Sequence, residues 1–370
     1  MGTAYRYAKR YIANYVAGFL NKGTPQFLIF FVTSKCNCKC GTCFYWKDLA
    51  CRDDLTFEEI RRISGRMGEF RTLLLSGGEP FLRRDLYDIC GLFIDNNRVH
   101  SVTVPTNGIM KDEILAFVDK ILKRYRDLLL TISVSIDGFQ NTHDRIRGVD
   151  GAFYKATGTL KALAELKRSC RNLEVVVNTV ITNQNASELP EFMEFVYKNF
   201  DIDYQDFEIL RGDHRDKALS RPDISEIQDL HRLILKNREK YLSRSVAAPA
   251  EKIAVISLLA FAQEAKERFL KGNAPFLTCS AGKNIGVLYA NGDISVCELL
   301  PPVGNLRNFG YDYRRAWNSA EANKLRDEIK NKRCGCTHVC FIKLTASYYI
   351  RSIFYLAKCY ARYRYGRSGD

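Results

Sequence analysis

Histidine is scarce in this sequence, and long apolar runs are missing from it. The 370 residues include five histidines beside thirteen cysteines. No stretch of about 18 consecutive apolar residues occurs, which argues against a helix that spans a membrane. Arg6, Lys9 and Arg10 interrupt the N-terminal segment, so it lacks the unbroken apolar core of a secretory signal. The sequence therefore predicts neither a membrane-spanning nor an exported protein.

The cysteines lie in tight clusters, unlike the wide and even spacing of a disulfide framework. Clustered cysteines with few histidines are typical of reduced thiolates that bind metal in the cytoplasm. With 46% hydrophobic residues, the chain can bury the core of one large domain or two medium ones. Its formal net charge of +14 suits an acidic partner, and the charge alone does not distinguish nucleic acid, anionic lipid and an acidic redox protein.

Strand and helix patterns alternate between about residues 27 and 210. Apolar runs predict six strands, at 27–33, 72–75, 101–104, 128–135, 173–181 and 206–210. Helical patterns separate them, at 56–66, 85–96, 112–124, 152–167 and 187–198. Such βα repeats with right-handed crossovers predict a parallel sheet that curls into a partial barrel, and a doubly wound sheet is the alternative.

The rest of the chain is predicted to form a helical bridge and a cysteine-rich domain. Long helical patterns cover residues 223–272, with a break near residues 246–249, and the second group of cysteines lies in residues 273–345. The complete predicted organisation is a basic amphipathic N-terminal helix at 1–26, the barrel at 27–222, the bridge at 223–272, the cysteine-rich domain at 273–345 and a basic aromatic tail at 346–370.

The first cysteine cluster directly follows the first predicted strand. Cys36, Cys40 and Cys43 have the spacing C-x3-C-x2-C. Three thiolates on one loop can hold three corners of a [4Fe–4S] cube and leave the fourth iron open to a substrate or cofactor. A structural zinc site is the alternative, although such sites normally draw four ligands from paired elements. Cys38, inside the same loop, is predicted to be a bystander.

Polar motifs end the next three predicted strands. The second ends in GGEP at residues 77–80, the third in PTNG at 105–108 and the fourth in SVSIDG at 133–138. The carboxyl ends of barrel strands meet on one rim, where active sites are built. The glycines allow a close approach of backbone and ligand, and the Glu79 carboxylate can accept a hydrogen bond from an ammonium group. TNG and DG taken singly are ordinary turn sequences.

With these motifs in this order, residues 27–345 resemble the radical S-adenosylmethionine (SAM) superfamily, in its subgroup with a C-terminal SPASM or Twitch domain. The resemblance implies a partial (β/α)6 TIM-like barrel in which Cys36, Cys40 and Cys43 hold a [4Fe–4S] cluster and SAM chelates its open iron. It also implies reductive cleavage of SAM to a 5′-deoxyadenosyl radical that abstracts hydrogen from a substrate. The resemblance further implies that the residues that bind SAM are Gly77, Gly78, Glu79, Pro80, Asn107, Ser135, Asp137, Arg147 and Asn178.

Four of these residues receive specific roles from the resemblance. Glu79 is expected near the amino group of SAM, Arg147 near its carboxylate, and Ser135 and Asp137 near its ribose. Thr42 stands where the family usually has an aromatic or apolar residue beside the adenine. Phe44 or Tyr45 is the predicted substitute, and packing in the core is the alternative for either ring.

The second group of cysteines begins with a pair, Cys279 and Cys297, that flanks a predicted hairpin with its turn at residues 291–292. Three further thiols follow, at Cys334, Cys336 and Cys340. The spacing resembles the Twitch or shortened SPASM module, which implies an auxiliary [4Fe–4S] cluster held by the first pair and two of the later three. A zinc ribbon is the alternative, and His338 is predicted to lie on the surface.

Both ends of the chain combine aromatic with basic side chains. No acidic residue precedes Asp48, and five basic residues but no acidic one lie between residue 348 and the C-terminal aspartate. Both segments fit helices on an anionic membrane surface, with packing on the barrel or on each other as the alternative. Nucleic-acid contacts are a third interpretation, although nucleic acid is not predicted as a partner.

The sequence thus predicts a radical SAM oxidoreductase or maturase-type enzyme that acts on a peptide, a membrane lipid or a lipid-linked substrate. Only 26 residues precede the first predicted strand, so recognition of a leader peptide would require a partner protein. A flavodoxin or ferredoxin is the predicted electron donor, since a basic surface attracts an acidic partner. The predicted location is the cytoplasm, with peripheral contact to the inner face of the membrane. The opposing prediction is a non-catalytic zinc-binding adaptor at a membrane or nucleic acid.

Near the end of the sixth predicted strand, two charged residues face the same rim as the polar motifs. Glu208 and Arg211 are predicted either to contact the substrate or to form a buried ion pair.

Overall fold

The computed structural model describes residues 23–50, 53–331 and 334–366. Its strands are β1 (Phe27–Thr33), β2 (Thr72–Gly77), β3 (Ser101–Thr106), β4 (Leu129–Ser135), β5 (Leu173–Ile181), β6 (Tyr204–Ile209), β7 (Ile285–Leu288), β8 (Asp293–Ser295) and β9 (Gly304–Asn305). They form one sheet in the order β6-β5-β4-β3-β2-β1-β7-β8-β9. The first six strands pair in parallel with their neighbours in the chain.

The helices that follow or connect these strands are α1 (Phe57–Arg66), α2 (Leu86–Asn97), α3 (Lys111–Arg124), α4 (Gln140–Arg147), α5 (Ala152–Lys167), α6 (Leu189–Asn199), α7 (Ile224–Arg244), α8 (Pro249–Leu270), α9 (Tyr313–Trp317), α10 (Ala320–Asn331), α11 (Val339–Tyr348) and α12 (Ser352–Tyr365). Every residue of β1 is buried, as expected for a parallel strand covered on both faces. The predicted partial (β/α)6 barrel is confirmed.

The strand and helix boundaries follow local sequence signals closely. All six predicted barrel strands begin and end within two residues of those in the structure. Thr56 caps α1 through a reciprocal pair of hydrogen bonds, in which Glu59 N donates to Thr56 Oγ1 at 3.3 Å and Thr56 N donates to Glu59 Oε2 at 2.8 Å. The predicted break in the helical bridge is also confirmed, because α7 ends at Arg244 and α8 begins at Pro249.

The cysteine-rich segment extends the barrel sheet. β7 pairs in parallel with β1, with Ile285 opposite Phe27, and β8 returns antiparallel to β7. Gly292, with φ of +89°, occupies the turn between β7 and β8, so the predicted hairpin is confirmed. α8 packs against α7, α11 and α12, which brings the C-terminal helices onto the bridge.

The predicted N-terminal amphipathic helix falls, up to residue 22, outside the described residues. Within the described ranges, no helix combines the length and the apolarity needed to cross a bilayer.

Candidate functional site

The three cysteines of the first cluster line one cavity of about 220 Å³ at the carboxyl ends of the barrel strands. Their loop is fixed by backbone hydrogen bonds to the end of α4, because Lys39 N donates to Arg147 O at 3.0 Å and Gly41 N to Ile146 O at 2.8 Å. Trp46 Nε1 donates to Asp213 O at 2.9 Å at the other end of the loop. The thiols therefore converge through a loop that is tied to neighbouring elements.

Burial and charge divide these thiols into two kinds. Burial raises the pKa of Cys36 and of Cys43 to about 11 each. The pKa of Cys40 is lowered, first by a hydrogen bond from the Cys38 thiol and then by Arg147, whose Nη1 lies 3.7 Å from Cys40 Sγ. Metal binding must therefore displace protons from the two neutral thiols. Three thiols on one loop are the ligand set that a [4Fe–4S] cube with one open iron requires.

The glycines that end β2 allow this loop to approach the sheet. Gly77 has φ of +123°, and Gly78 N donates to Thr33 O at 2.8 Å. A Cβ added at Gly78 would lie 2.0 Å from the backbone oxygen of Lys35, next to Cys36. The close approach that these glycines permit is therefore between β2 and the cysteine loop.

Glu79 is buried at the edge of the same cavity. Its Oε2 accepts a hydrogen bond from Asn107 N at 2.8 Å, and its Oε1 accepts one from Thr106 Oγ1 at 2.7 Å. Burial raises the pKa of the Glu79 carboxyl to about 7, and these hydrogen bonds oppose the increase. The TNG sequence after β3 thus holds the carboxylate of the GGEP sequence after β2.

A buried ion pair supports the opposite side of the cavity. Arg147 Nε lies 2.8 Å from Asp137 Oδ2, and Asp137 Oδ1 accepts a hydrogen bond from Val180 N at 3.0 Å. Asp137 is fully buried behind Arg147 and does not line the cavity. Its contacts indicate that Asp137 positions the Arg147 guanidinium beside Cys40.

Most of the sequence-predicted SAM-binding residues meet around this cavity. Pro80 begins a short 3-10 turn and, like Asp137, is absent from the lining. Phe44 lines the cavity with a partly buried ring, whereas Tyr45 lines it from the core, where its ring is stacked at 6.2 Å from that of Tyr289. The predicted residues that do line it are Gly77, Gly78, Glu79, Asn107, Ser135, Arg147 and Asn178.

A second cavity, of about 400 Å³, adjoins the first inside the barrel. Asn178, Glu208 and Arg211 are among the residues that line both, so the two spaces are adjacent. Val255, Leu258 and Leu259 of α8 give the second cavity an apolar wall. A small molecule bound beside the three thiols would therefore face a separate, larger space.

Charged side chains form another wall of the second cavity. Arg211 Nη1 lies 2.9 Å from Glu208 Oε2, which confirms the ion-pair prediction, and both residues also line the cavity. His338 Nε2 is paired with Glu298 and lies 3.3 Å from Arg211 Nη2. The prediction that His338 lies on the surface is wrong, because this residue is only 3% exposed. Glu298 and Arg211 provide polar partners for its buried ring. No sequence motif points to Glu298, although it directly follows Cys297.

The five later cysteines divide into four and one. Cys279, Cys334 and Cys336 line one small cavity. Cys297 belongs with them, because Cys336 is among the charges that add to the effect of burial in raising the pKa of Cys297. Burial is also the main cause that raises the pKa of Cys340 to about 12, but the charges that add to it are those of Glu208 and Asp206. The Cys340 thiol lies within 4.8 Å of ligand atoms of Glu208 and His338.

Known proteins resemble this chain in both sequence and fold. Residues 30–196 match the family model of the Radical SAM superfamily. Pre-heme d1 synthase of Dinoroseobacter shibae is 32% identical over 177 residues, which are 47% of this chain and 41% of that protein. AdoMet-dependent heme synthase of Methanosarcina barkeri is 27% identical over 330 residues, which are 84% of this chain and 88% of that protein.

A third relative and a solved structure extend the comparison. The sporulation killing factor maturation protein SkfB of Bacillus subtilis is 25% identical over 49% of this chain and 42% of that protein. Native anSMEcpe with bound AdoMet and Cp18Cys peptide has the same fold, with a TM-score of 0.59 and 18% identity over 91% of this chain and 96% of that one. The matched region spans less than half the length of pre-heme d1 synthase and of SkfB.

The matched domain contains the second half of β1, the three-cysteine loop after it, the GGEP sequence and all the residues that line the first cavity up to Asn178. Its donor set fits a cluster with one open iron, and the adjoining carboxylate and guanidinium fit the ammonium and carboxylate groups of an amino acid. Residues 30–196 therefore form a domain of the Radical SAM superfamily, and the residues around the first cavity fit SAM and a SAM-binding [4Fe–4S] cluster.

Proposed function

We propose that the enzyme uses SAM, bound in the first cavity, to abstract a hydrogen atom from a substrate held in the second. The observation that carries this proposal is that the two cavities adjoin and share Asn178, Glu208 and Arg211 in their linings. The cluster and SAM together supply a 5′-deoxyadenosyl radical. The protein's own part is to hold both molecules in one orientation and to exclude water from the space between them.

The lining residues divide the task of holding SAM. Cys36, Cys40 and Cys43 hold the cluster, and Glu79 accepts a hydrogen bond from the SAM amino group. Arg147, fixed by Asp137, pairs with the SAM carboxylate, to which a guanidinium can donate two parallel hydrogen bonds. On the neighbouring strands β4 and β5, Ser135 and Asn178 are register partners and contact the remaining part of SAM. Phe44 packs beside the adenine, because Thr42 stands where the family usually has the aromatic or apolar residue that does so.

The protonation of Glu79 makes SAM binding depend on pH. Because burial raises the pKa of this carboxyl to about 7, only a small fraction is ionised at pH 6 and most of it at pH 8. The ionised form is the better acceptor for a hydrogen bond from the SAM amino group, so the affinity for SAM is expected to rise several-fold between pH 6 and pH 8. Equilibrium dialysis under argon measures this, with Glu79→Gln as the matched variant. An equal rise in the variant would assign the dependence to another group.

We also propose that Cys279, Cys297, Cys334 and Cys336 hold an auxiliary [4Fe–4S] cluster, in a Twitch-type module. Three of them line one small cavity, and charge repulsion links Cys297 to Cys336. Glu298 and His338, which form the charged wall of the second cavity, lie within two residues of Cys297 and Cys336. A cluster held there would supply either an electron acceptor for the reaction or a cross-link that holds the module together.

The ligand set predicts opposite outcomes for two neighbouring cysteines. Cys340→Ala is expected to retain about eight irons per chain, whereas Cys336→Ala is expected to fall to about four, since a cube that lacks one of four thiolates is labile. Both variants remove one thiol from residues 334–340, so each is the control for the other. Anaerobic iron and sulfide analysis measures the result. Loss of iron from the Cys340 variant alone would contradict the ligand set.

The favoured substrate is a peptide, and a lipid-linked molecule is the second candidate. The second cavity has an apolar wall from α8 and a charged wall from Arg211, Glu298 and His338, which suits a segment with both apolar and polar groups. The anSMEcpe structure, which has the same fold, contains a bound peptide, and a maturation protein is among the relatives. The lipid-linked candidate is favoured by the exposed face of α12 that is described below.

A substrate screen separates these candidates. Purified enzyme with SAM and dithionite would be incubated with peptide pools, membrane lipid extracts or tetrapyrroles. Tetrapyrroles are included because one relative is a heme synthase. A true substrate is expected to raise the yield of 5′-deoxyadenosine and to change in mass. A response to tetrapyrroles alone would overturn both proposed substrate classes.

The electron donor proposed for this chemistry is a flavodoxin or ferredoxin. The net charge of +14 attracts the acidic surfaces that are common among such proteins. The proposed location is the cytoplasm.

One experiment tests the chemistry itself. Protein purified and reconstituted under argon is expected to contain about eight irons and eight sulfides per chain and to release 5′-deoxyadenosine from SAM and dithionite. Zinc in place of iron would instead support the zinc-binding adaptor, which would be colourless. Iron without 5′-deoxyadenosine would show a chain that holds its clusters but has lost the reaction.

A further inference from the structure

The outward face of α12 and the turn before it carry large apolar side chains in contact with solvent. Ile350 is 64% exposed, Ile353 60% and Phe354 69%. Positions separated by three and four residues lie on the same side of a helix. Single exposed apolar residues are ordinary on a protein surface, but adjoining ones form a patch that indicates contact with a partner or a membrane.

The inward face of α12 is anchored to α8 and its surroundings. Ser352 and Cys359 are buried, and the ring of Tyr355 lies 5.1 Å from that of Phe276. Towards the C-terminal end, Tyr363 Oη donates to Glu239 Oε2 at 2.9 Å, and Arg362 pairs with Glu264. The helix is therefore held by one face, and the apolar patch on its other face is presented outward.

Positive charge surrounds the patch. Arg351 is exposed beside Ile350, and Lys358 is exposed one turn after Phe354. Residues 341–366 contain five basic side chains and no acidic one, and three of the five, Lys343, Arg362 and Arg364, pair with acidic residues of other elements. The exposed aromatic ring of Tyr365 ends the helix. Apolar side chains on one helix face, flanked by cations and aromatic rings, are the features of a helix that lies in a membrane interface.

We propose that α12 docks the enzyme on an anionic phospholipid bilayer, with Ile350, Ile353 and Phe354 among the acyl chains and Arg351 and Lys358 at the headgroups. Stable interfaces between proteins bury roughly 1,200 Å² or more in total, which one turn of a helix does not supply. A bilayer requires only an apolar helix face and nearby cations. This proposal does not rest on the proposed reaction. Because α12 packs on α8, which lines the second cavity, docking would bring the substrate space close to the membrane.

Vesicle sedimentation with the full-length, reconstituted enzyme tests the proposal. The probes are vesicles of phosphatidylcholine alone and vesicles with about 30% phosphatidylglycerol. Wild type is expected to bind the anionic vesicles and to lose binding at high salt. The variant I350S/I353S/F354S is expected to bind roughly tenfold or more weakly. R351Q/K358Q, which keeps the apolar patch, is expected to bind anionic vesicles several-fold more weakly.

The control variant V246S/I253S removes exposed apolar side chains near the start of α8 and is expected to bind like wild type. Unchanged iron content and 5′-deoxyadenosine yield establish that each variant is folded. Equal binding of the I350S/I353S/F354S variant and wild type would overturn the proposal. Binding that depends on residues 1–22 but not on this patch, or binding to an acidic protein with none to vesicles, would overturn it as well.

Discussion

Replacement of Cys36, Cys40 and Cys43 by alanine is expected to halve the iron content, from about eight to about four per chain, and to abolish 5′-deoxyadenosine formation. The three thiols line one cavity with Glu79 and Arg147, so their loss removes the protein ligands of the SAM-binding cluster and leaves the later cysteines intact. The four irons that remain would report the auxiliary cluster alone. Iron and sulfide analysis, with chromatography of the nucleoside product, measures both effects.

Cys38 provides the matched control for this prediction. Its thiol lies in the same loop and hydrogen-bonds to Cys40, but the cation of Arg147 lies beside Cys40 and favours the negative charge there. Cys38→Ala is therefore expected to keep about eight irons and its 5′-deoxyadenosine yield. Complete loss of iron from the triple variant would indicate a single cluster shared by both cysteine groups. Retention of activity by the triple variant would refute the assignment of the site.

The barrel could be predicted from the sequence because its signals are local. Each strand is a short apolar run between polar segments, and Thr56 with Glu59 marks the start of α1 by a known pair of hydrogen bonds. The helix α4 was missed because seven of its eight residues, QNTHDRIR, are polar, so apolar spacing gives no signal. This helix nevertheless supplies Arg147.

The parts of the site that the sequence did not predict depend on contacts between distant elements. His338 was predicted on the surface because its sequence neighbours are thiols, but Glu298 and Arg211 come from other elements and surround it with polar partners. The separation of Cys340 from the other four thiols likewise arises where α11 meets Glu208 of β6. Asp137 was predicted near the ribose of SAM because it belongs to the SVSIDG motif. Its ion pair with Arg147 becomes evident only in the folded chain.

Gly78→Ala is expected to cost the enzyme its SAM-binding cluster without removing any ligand. The added Cβ would lie 2.0 Å from Lys35 O and 3.2 Å from Cys36 Cβ, and the first of these atoms belongs to the backbone. Neither can move alone, because Glu79 N donates to Lys35 O at 2.8 Å and Gly78 N to Thr33 O at 2.8 Å. The loop must therefore shift as a whole, and the three thiols then no longer lie where the three corners of a cube require them. Iron is expected to fall to about four per chain, as in the triple cysteine variant.

Gly158→Ala is the control, since it makes the same chemical change where there is room for it. Gly158 lies inside α5, and an added Cβ there meets nothing within 4 Å. Alanine in a helix interior is more favourable than glycine by roughly 0.5–1 kcal/mol, so this variant is expected to be slightly more stable and fully active. Urea denaturation and 5′-deoxyadenosine yield, measured on both variants, separate a general effect of the methyl group from its effect on the cysteine loop. If Gly78→Ala kept its iron and its activity, the close packing of β2 against that loop could not be what positions Cys36.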